Sequence, residues 1–146
     1  MPVPAPNLNP PFNTVRLSHV EFGVTDLARS RAFYVDTLGL QVTDETADTI
    51  WLRALEERGH HCLVLRKSDR AEARDLGFKV WDEDHLDRAA AFFAAKGLPV
   101  DWVERPFQGR TFRTRDPQGI PLELYARMDR LPPIHQQYAL YKGVKP

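Results

Sequence analysis

Two stretches of the chain alternate strictly between apolar and polar positions. In HVEFGVTDL (His19–Leu27), Val20, Phe22 and Val24 are separated by Glu21 and Gly23. In DLGFKVWDE (Asp75–Glu83), Leu76, Phe78 and Val80 are separated by Gly77 and Lys79. A period of two marks a half-buried strand. Each stretch runs into an aspartate, Asp26 or Asp82, whose side chain can accept the orphan N–H groups of a helix's first turn. Apolar residues at helical spacing follow: Leu27, Tyr34 and Leu38 in LARSRAFYVDTL, then Leu86, Ala89, Ala90 and Phe93 in EDHLDRAAAFFAAK. Gly39 and Gly97 supply the left-handed stops. Three strand candidates come after each helix. They are Gln41–Thr43, Thr49–Leu55 and His61–Leu65 in the first half, and Val100–Glu104, Thr111–Arg115 and Ile120–Tyr125 in the second. The chain therefore reads as βαβββ written twice, two supersecondary units sharing a core. The class is α+β, with helices over the apolar face of a curved sheet and the other face lining a cleft.

Alternation also says which side chains face that cleft: His19, Glu21 and Gly23 in the first strand, and Asp75, Gly77 and Lys79 in its repeat. The segment DPQGIPLELY sets turn chemistry, Asp116 to Gly119, before a strand whose Leu122 and Leu124 are core. That leaves Pro121, Glu123 and Tyr125 on the cleft side, beside Arg113 and Arg115 of the preceding strand. A carboxylate in so apolar a strand needs a counter-charge, water or a metal, because burying it alone costs several kcal/mol. His19, Asp75 and Glu123 share this face, and one imidazole with two carboxylates suits a divalent transition metal. Ion pairing answers the same need: Glu123 with Arg113, Arg115 or Lys79, Asp75 with Arg74. Both readings stay open on the pattern alone. The pair His60-His61 reads as a strand edge with its rings on opposite faces. His85 falls in a helix's first turn and His135 near the end of the chain, neither with a partner close in sequence.

Composition narrows the function classes. The 146 residues fit one domain, and 20 Lys and Arg balance 20 Asp and Glu, so no global field favours nucleic acid or an anionic membrane. One cysteine, Cys62, rules out an internal disulfide and suits a reducing compartment. With no apolar run able to span a bilayer and no signal-like start, a cytoplasmic location is expected. Nucleophile elbows, phosphate loops and paired-cysteine zinc patterns are absent. The first thirteen residues hold five of the 12 prolines and make an extended arm, either a frayed end or a strap over a neighbouring subunit. The closing RLPPIHQQYALYKGVKP offers Ile134, Tyr138, Leu140 and Tyr141 as a linker or docking tail. The organisation expected is an arm over 1–15, a domain over 16–127 with modules of about 16–70 and 71–127, and a tail over 128–146.

The strand RLSHVEFGVTDL, the helix SRAFYVDTLGL and the ending DPQGIPLELY together resemble the vicinal oxygen chelate superfamily of glyoxalases, bleomycin-resistance proteins and extradiol dioxygenases. The likeness covers roughly Arg16 to Arg127. More narrowly, VTDLARSRAFYVDTLGLQVTDE, IWLRALEERGHHCLVLR and QQYALY resemble the N-terminal domain of homoprotocatechuate (3,4-dihydroxyphenylacetate) 2,3-dioxygenases. This resemblance implies two-domain chains, each domain made of two βαβββ units, with Fe(II) or Mn(II) held by two His and one Glu. By position the first His falls on His19 and the Glu on Glu123, while the second His position carries Asp75, a departure from the pattern. In those dioxygenases the working metal and its acid–base residues belong to the C-terminal domain, where a catechol binds the metal and O2 attacks the ring. The resemblance thus implies a non-catalytic half that partners a C-terminal catalytic domain in a homo-oligomer, with His19, Asp75 and Glu123 a vestige. It leaves two alternatives: a self-sufficient glyoxalase-like metalloenzyme using those three residues, and a metal-free binding module like the bleomycin-resistance proteins.

Overall fold

The structure is a computed structural model that describes residues 2–133. The expected docking residues Ile134, Tyr138, Leu140 and Tyr141, with His135, lie outside the described residues. The elements run β1 (Thr14–Val24), α1 (Leu27–Ala32), β2 (Gln41–Glu45), β3 (Thr49–Arg53), β4 (Leu63–Lys67), β5 (Glu72–Val80), α2 (Glu83–Ala95), β6 (Asp101–Val103), β7 (Thr111–Arg115) and β8 (Pro121–Tyr125). This is βαβββ twice, as the alternation indicates.

Both helix starts are set by the aspartates. Asp26 Oδ1 accepts from the Arg29 amide at 2.9 Å, and Asp82 Oδ1 from the His85 amide at 2.9 Å. Gly39 (φ 76°) and Gly97 (φ 70°) take the left-handed turn beyond each helix, where a side chain would be strained. The first helix departs from expectation after Ala32: Phe33–Thr37 form a π-helical turn, and the Leu38 amide bonds back to the Phe33 carbonyl at 3.1 Å.

All eight strands belong to one sheet in the order β2-β3-β4-β1-β5-β8-β7-β6. The modules meet at an antiparallel β1–β5 seam that aligns His19 with Gly77 and Glu21 with Asp75. Outside the seam, β4 lies parallel to β1 and β8 parallel to β5, so the two halves are arranged alike. Each half has its own apolar core beneath its helix. Ile50, Leu52, Leu63 and Leu65 form one, with Val20, Phe22 and Val24 against it. Val80, Leu86, Ala89, Phe112 and Leu124 form the other, with Phe78, Phe93 and Leu122 against it. Phe12, at the end of the proline-rich segment, lies over α2 of its own chain, 5.9 Å from the rings of Phe92 and Phe93. β1 begins at Thr14, earlier than its alternation is visible, because register shifts interrupt the period between Thr14 and His19.

Trp51 of β3 and Phe107, just before β7, come from opposite flanks of the strand order, yet their rings meet edge-to-face at 5.3 Å. The sheet therefore curls until its wings touch across the face that carries no helix.

Candidate functional site

The alternation rule places the side chains correctly, and the consequence is unexpected: the polar face is the more deeply buried one along β1. His19, Glu21 and Gly23 are buried, whereas Val20, Phe22 and Val24 are only half-buried. Asp75 and Glu123 are buried as well. What closes over them is a set of side chains from loops and outer strands.

Glu123 stands at the centre. Its Oε2 accepts from Arg105 Nε at 2.6 Å, and its Oε1 accepts from Gln108 Nε2 at 2.8 Å and faces His19 Nε2 at 3.2 Å. Asp75 accepts from Arg113 Nε at 2.8 Å and from the same Arg105, through its Nη2, at 3.3 Å. Glu21 accepts from Arg66 Nε at 2.8 Å and pairs with Arg74 at 3.1 Å. Arg105 thus spans the carboxylates of β5 and β8. The His19 ring lies against the backbone of Gly77, its partner across the seam: a Cβ on Gly77 would sit 2.1 Å from His19 Cε1. His19 Nδ1 has no partner among the described residues.

A second layer covers the first. His61 Nε2 lies 3.2 Å from Gln108 Oε1, and the Nδ1 atoms of His60 and His61 are 3.2 Å apart. The strand-edge reading of this pair fails because both residues precede β4 in a loop, where period two does not apply and both rings turn inward. Phe107, held at φ 65°, stacks on His60 at 3.6 Å between centroids. Backbone bonds from His60 to the Asp129 carbonyl and from Asp129 to the Phe107 carbonyl, both 2.8 Å, lace the loops shut.

The electrostatics follow the geometry. Burial pushes the Glu123 carboxyl up, but the His19 ring, Arg105 and Gln108 outweigh it and hold it down at about 2. Burial lowers His61 to about 3, helped by the neighbouring His19 and His60 rings, so this imidazole stays neutral at ordinary pH. Asp75 is raised by burial despite Arg113 and Arg105. Tyr125, whose hydroxyl is hydrogen-bonded to that of Ser18, is raised by burial too.

The three residues singled out from the sequence can be tested against a divalent cation. His19 and Glu123 stand near enough to be neighbouring ligands of one ion. Asp75 does not join them, because its oxygens are taken by Arg113 and Arg105. The space bounded by His19, Glu21, His61, Arg66, Arg105 and Glu123 is about 10 Å³. A single water needs about that much, on the order of 10–15 Å³. The residues as folded therefore do not fit an ion with open positions for a substrate. Among the described residues, the ligand atoms of Asp82, Asp84 and His85 do lie within 4.8 Å of one another, but there Asp82 is capping α2 and His85 Nδ1 accepts from the Asn13 amide. A roomier cavity of about 660 Å³ opens at the β8 end of the same face, between Arg16, Arg58, Lys79, Tyr125, Met128 and Arg130.

The pattern along the strands pairs Glu123 with Arg113, Arg115 or Lys79 and Asp75 with Arg74, and the structure corrects both: Arg113 of β7 reaches past β8 to Asp75, Arg74 pairs with Glu21, and Glu123 is held by Arg105. Arg105, Gln108 and His61 were missed because they sit in loops. The one visible trace is that the short segment RPFQG carries two long hydrogen-bonding side chains flanking Pro106 and Phe107.

Residues 16–124 match the model of the Glyoxalase/Bleomycin resistance protein/Dioxygenase superfamily. The chain is 30% identical over 118 residues to the manganese-dependent 2,3-dihydroxybiphenyl 1,2-dioxygenase of Geobacillus genomosp. 3, covering 79% of this chain and 38% of that protein. Among solved structures, the anaerobic complex of homoprotocatechuate 2,3-dioxygenase from Brevibacterium fuscum with 3,4-dihydroxyphenylacetate superimposes with a TM-score of 0.86 at 35% identity, covering 92% of this chain and 43% of that one. The chain thus spans about two-fifths of the length of these dioxygenases. It is also 29% identical over 122 residues to the uncharacterized protein YaeR of Escherichia coli K12, covering 75% of this chain and 95% of that protein.

Proposed function

The chain belongs to the Glyoxalase/Bleomycin resistance protein/Dioxygenase superfamily, and on that premise we propose that it is the N-terminal, non-catalytic domain of an extradiol dioxygenase acting on a catechol such as 3,4-dihydroxyphenylacetate. In this reading Fe(II) or Mn(II), the catechol and O2 are handled by a C-terminal catalytic domain, and this domain supports it structurally within a cytoplasmic oligomer. One observation carries the reading. Of the three residues on which the resemblance lays the family's metal pattern, Glu123 and Asp75 are both ion-paired to Arg105, at 2.6 and 3.3 Å. A catechol needs a cavity of several hundred cubic ångströms beside its metal, on the order of 300 Å³ or more, and the space here is about 10 Å³. The match to about two-fifths of each dioxygenase supports the same division of labour.

The test is direct. The purified chain, loaded anaerobically with Fe(II) and then given 3,4-dihydroxyphenylacetate and air, is expected to form no yellow ring-fission product. Its appearance at a rate above free Fe(II) overturns the proposal.

A second reading has one observation in its favour: the alignment spans nearly all of YaeR, a protein of about this domain's size. In that case the domain works alone, and the 660 Å³ cavity at the β8 end is where a small molecule would sit. Calorimetric titration with catechols separates the two, since saturable binding by the isolated chain favours the second.

A further inference from the structure

We infer that the cavity at the β8 end of the sheet binds a small organic dianion, a molecule with two carboxylates on a short carbon skeleton. None of its described lining residues belongs to the pocket around Glu123. The inference goes beyond both functional readings, because it assigns the cavity a ligand class whether or not chemistry takes place in this chain.

Three observations carry it. First, the charge is one-sided. Arg16, Arg58, Lys79, Arg127 and Arg130 line the cavity against Glu56 and Glu57, so five cations face two carboxylates. Glu57 is already engaged, its Oε1 accepting from Arg16 Nη2 at 3.0 Å and from the Gly59 amide at 2.8 Å. Arg127 has Glu83 at 3.6 Å, whereas Arg58, Lys79 and Arg130 enter no ion pair among the described residues. Second, the crowding is built into the sheet. The β1–β5 seam sets Arg16 opposite Lys79, and the β5–β8 pairing sets Lys79 beside Tyr125. Like charges directly opposite each other across strands are destabilising, and Lys79 is half-buried, where salt screens it less. The loop cations are fixed through their backbone: Gly59 bridges to Arg130, and the Leu131 amide donates to the Arg58 carbonyl at 3.0 Å. Positive charge gathered on a concave wall focuses the field into the space it encloses. Third, the cavity has an apolar side, from Val15, Ala126 and Met128, and its volume is about 660 Å³. Small-molecule sites run from about 300 to 1,000 Å³. Guanidinium groups hold carboxylates through paired hydrogen bonds, and the apolar side asks for a carbon body between them.

The probe is homophthalate, a benzene ring carrying a carboxylate and a carboxymethyl group. Phenylacetate, with a single carboxylate, and inorganic phosphate, with no carbon body, are the comparisons. The variants are Lys79→Met, Arg58→Ala and, as control, Lys67→Ala, whose exposed side chain belongs to the opposite end of the sheet, where Lys67 pairs with Val24. Binding is followed by calorimetry, its place by ¹⁵N amide shifts and the fold of each variant by circular dichroism.

The expected result is one homophthalate per chain with Kd below about 1 mM, and amide shifts centred on Val15, Gly59 and Met128. Lys79→Met and Arg58→Ala should each weaken binding at least about fivefold, and phenylacetate and phosphate should bind at least about tenfold more weakly than homophthalate. Lys67→Ala should bind as the unaltered chain does. Absence of saturation by about 10 mM overturns the inference and makes these side chains a solvated basic rim. So does a loss in Lys67→Ala equal to that in Lys79→Met, which is general attraction of charge, and so does phosphate binding as tightly as homophthalate. If Lys79→Met does not fold, Arg58→Ala decides alone. The functional readings are tested separately: neutral catechol offers this cavity no charge, and ring fission does not involve it. Inertness towards homophthalate therefore sinks this inference and neither of those readings.

Discussion

Glu123 shows how far a single residue can be read from sequence. Its place in an apolar strand announced that something must neutralise it, and period two put it correctly on the face with His19 and Asp75. The identity of its partners was not legible, because Arg105 and Gln108 reach it from a loop and no periodicity governs a loop. The energetics make the pairing testable. Removing one member of a buried ion pair typically costs about 3–5 kcal/mol, since the other charge is stranded. Glu123→Gln is therefore expected to lower stability by that order in urea unfolding, with the slope unchanged. Gly77 gives a sharper test. A methyl group there meets the His19 ring at 2.1 Å, so Gly77→Ala should cost about 1–3 kcal/mol through overpacking. Adding His19→Ala should recover part of that loss, a non-additivity expected only if the ring is what the methyl strikes.

Acid stability belongs to this scale too. His61, ordinarily titrating at 6.5 but held at about 3, is neutral in the fold and protonated in the unfolded chain between those values. The unfolded state then binds more protons, so its contribution is lost as pH falls from 6.5 towards 3. Glu123, held at about 2 against an ordinary 4.5, stabilises the fold above 4.5 and loses that contribution as pH falls towards 2. Asp75 acts with opposite sign, its raised value favouring the fold as pH falls. Stability should thus decline in two overlapping stages, each with a slope of up to about 1.4 kcal/mol per pH unit. Burial lowers His60 in the same direction, so a His61→Gln variant should weaken the upper stage without abolishing it, which urea midpoints between pH 7 and 4.5 would reveal.

At the scale of elements the sequence was at its most readable where local chemistry alone decides. Asp82 and Gly97 bracket α2 as a cap and a stop should, and the structure places α2 at Glu83–Ala95 between them. The boundaries that were misread are those set by neighbours. The π-helical turn at Phe33–Thr37 has no capping signal, and β1 hides its first residues behind register shifts. The local devices should also act independently. Asp82→Ala removes the side-chain acceptor for the His85 amide, at about 1 kcal/mol. Gly97→Ala forces a side chain into φ 70°, at about 1 kcal/mol. The two sites stand at opposite ends of a 13-residue helix, so the double variant should lose the sum, about 2 kcal/mol, to within about 0.5. A clear departure from additivity in thermal or urea unfolding would mean that α2 responds as a whole rather than at its ends.

For the whole molecule the question is whether two like modules make one cooperative unit. Each has its own apolar core beneath its own helix, and on that side the cores are separate clusters. Two features join them. One is the β1–β5 seam, paired from Thr14 to Gly23. The other is the polar face itself, where His19 of the first module meets Glu123 of the second and His61 meets Gln108. The repeat was visible in the sequence as two alternating strands, but this second joint was not, since it depends on loops closing over the sheet. If both joints hold, the modules unfold together. Trp51 reports on the first module, buried in β3, and Trp102 on the second, in β6. Single-tryptophan variants keeping one or the other should give coincident urea midpoints, as two-state unfolding demands. Adding Glu123→Gln and His61→Gln to each leaves the seam intact but severs the polar joint. If that joint contributes to cooperativity, the two tryptophans should then report separate midpoints, the Trp102 transition coming first because the three-residue β6 leaves the second module with the weaker edge. Midpoints that stay together after the joint is cut would assign the coupling to the β1–β5 seam and to the contacts of Trp51 and His60 with Phe107, and the buried ion pairs would then serve to close the pocket rather than to hold the modules to each other.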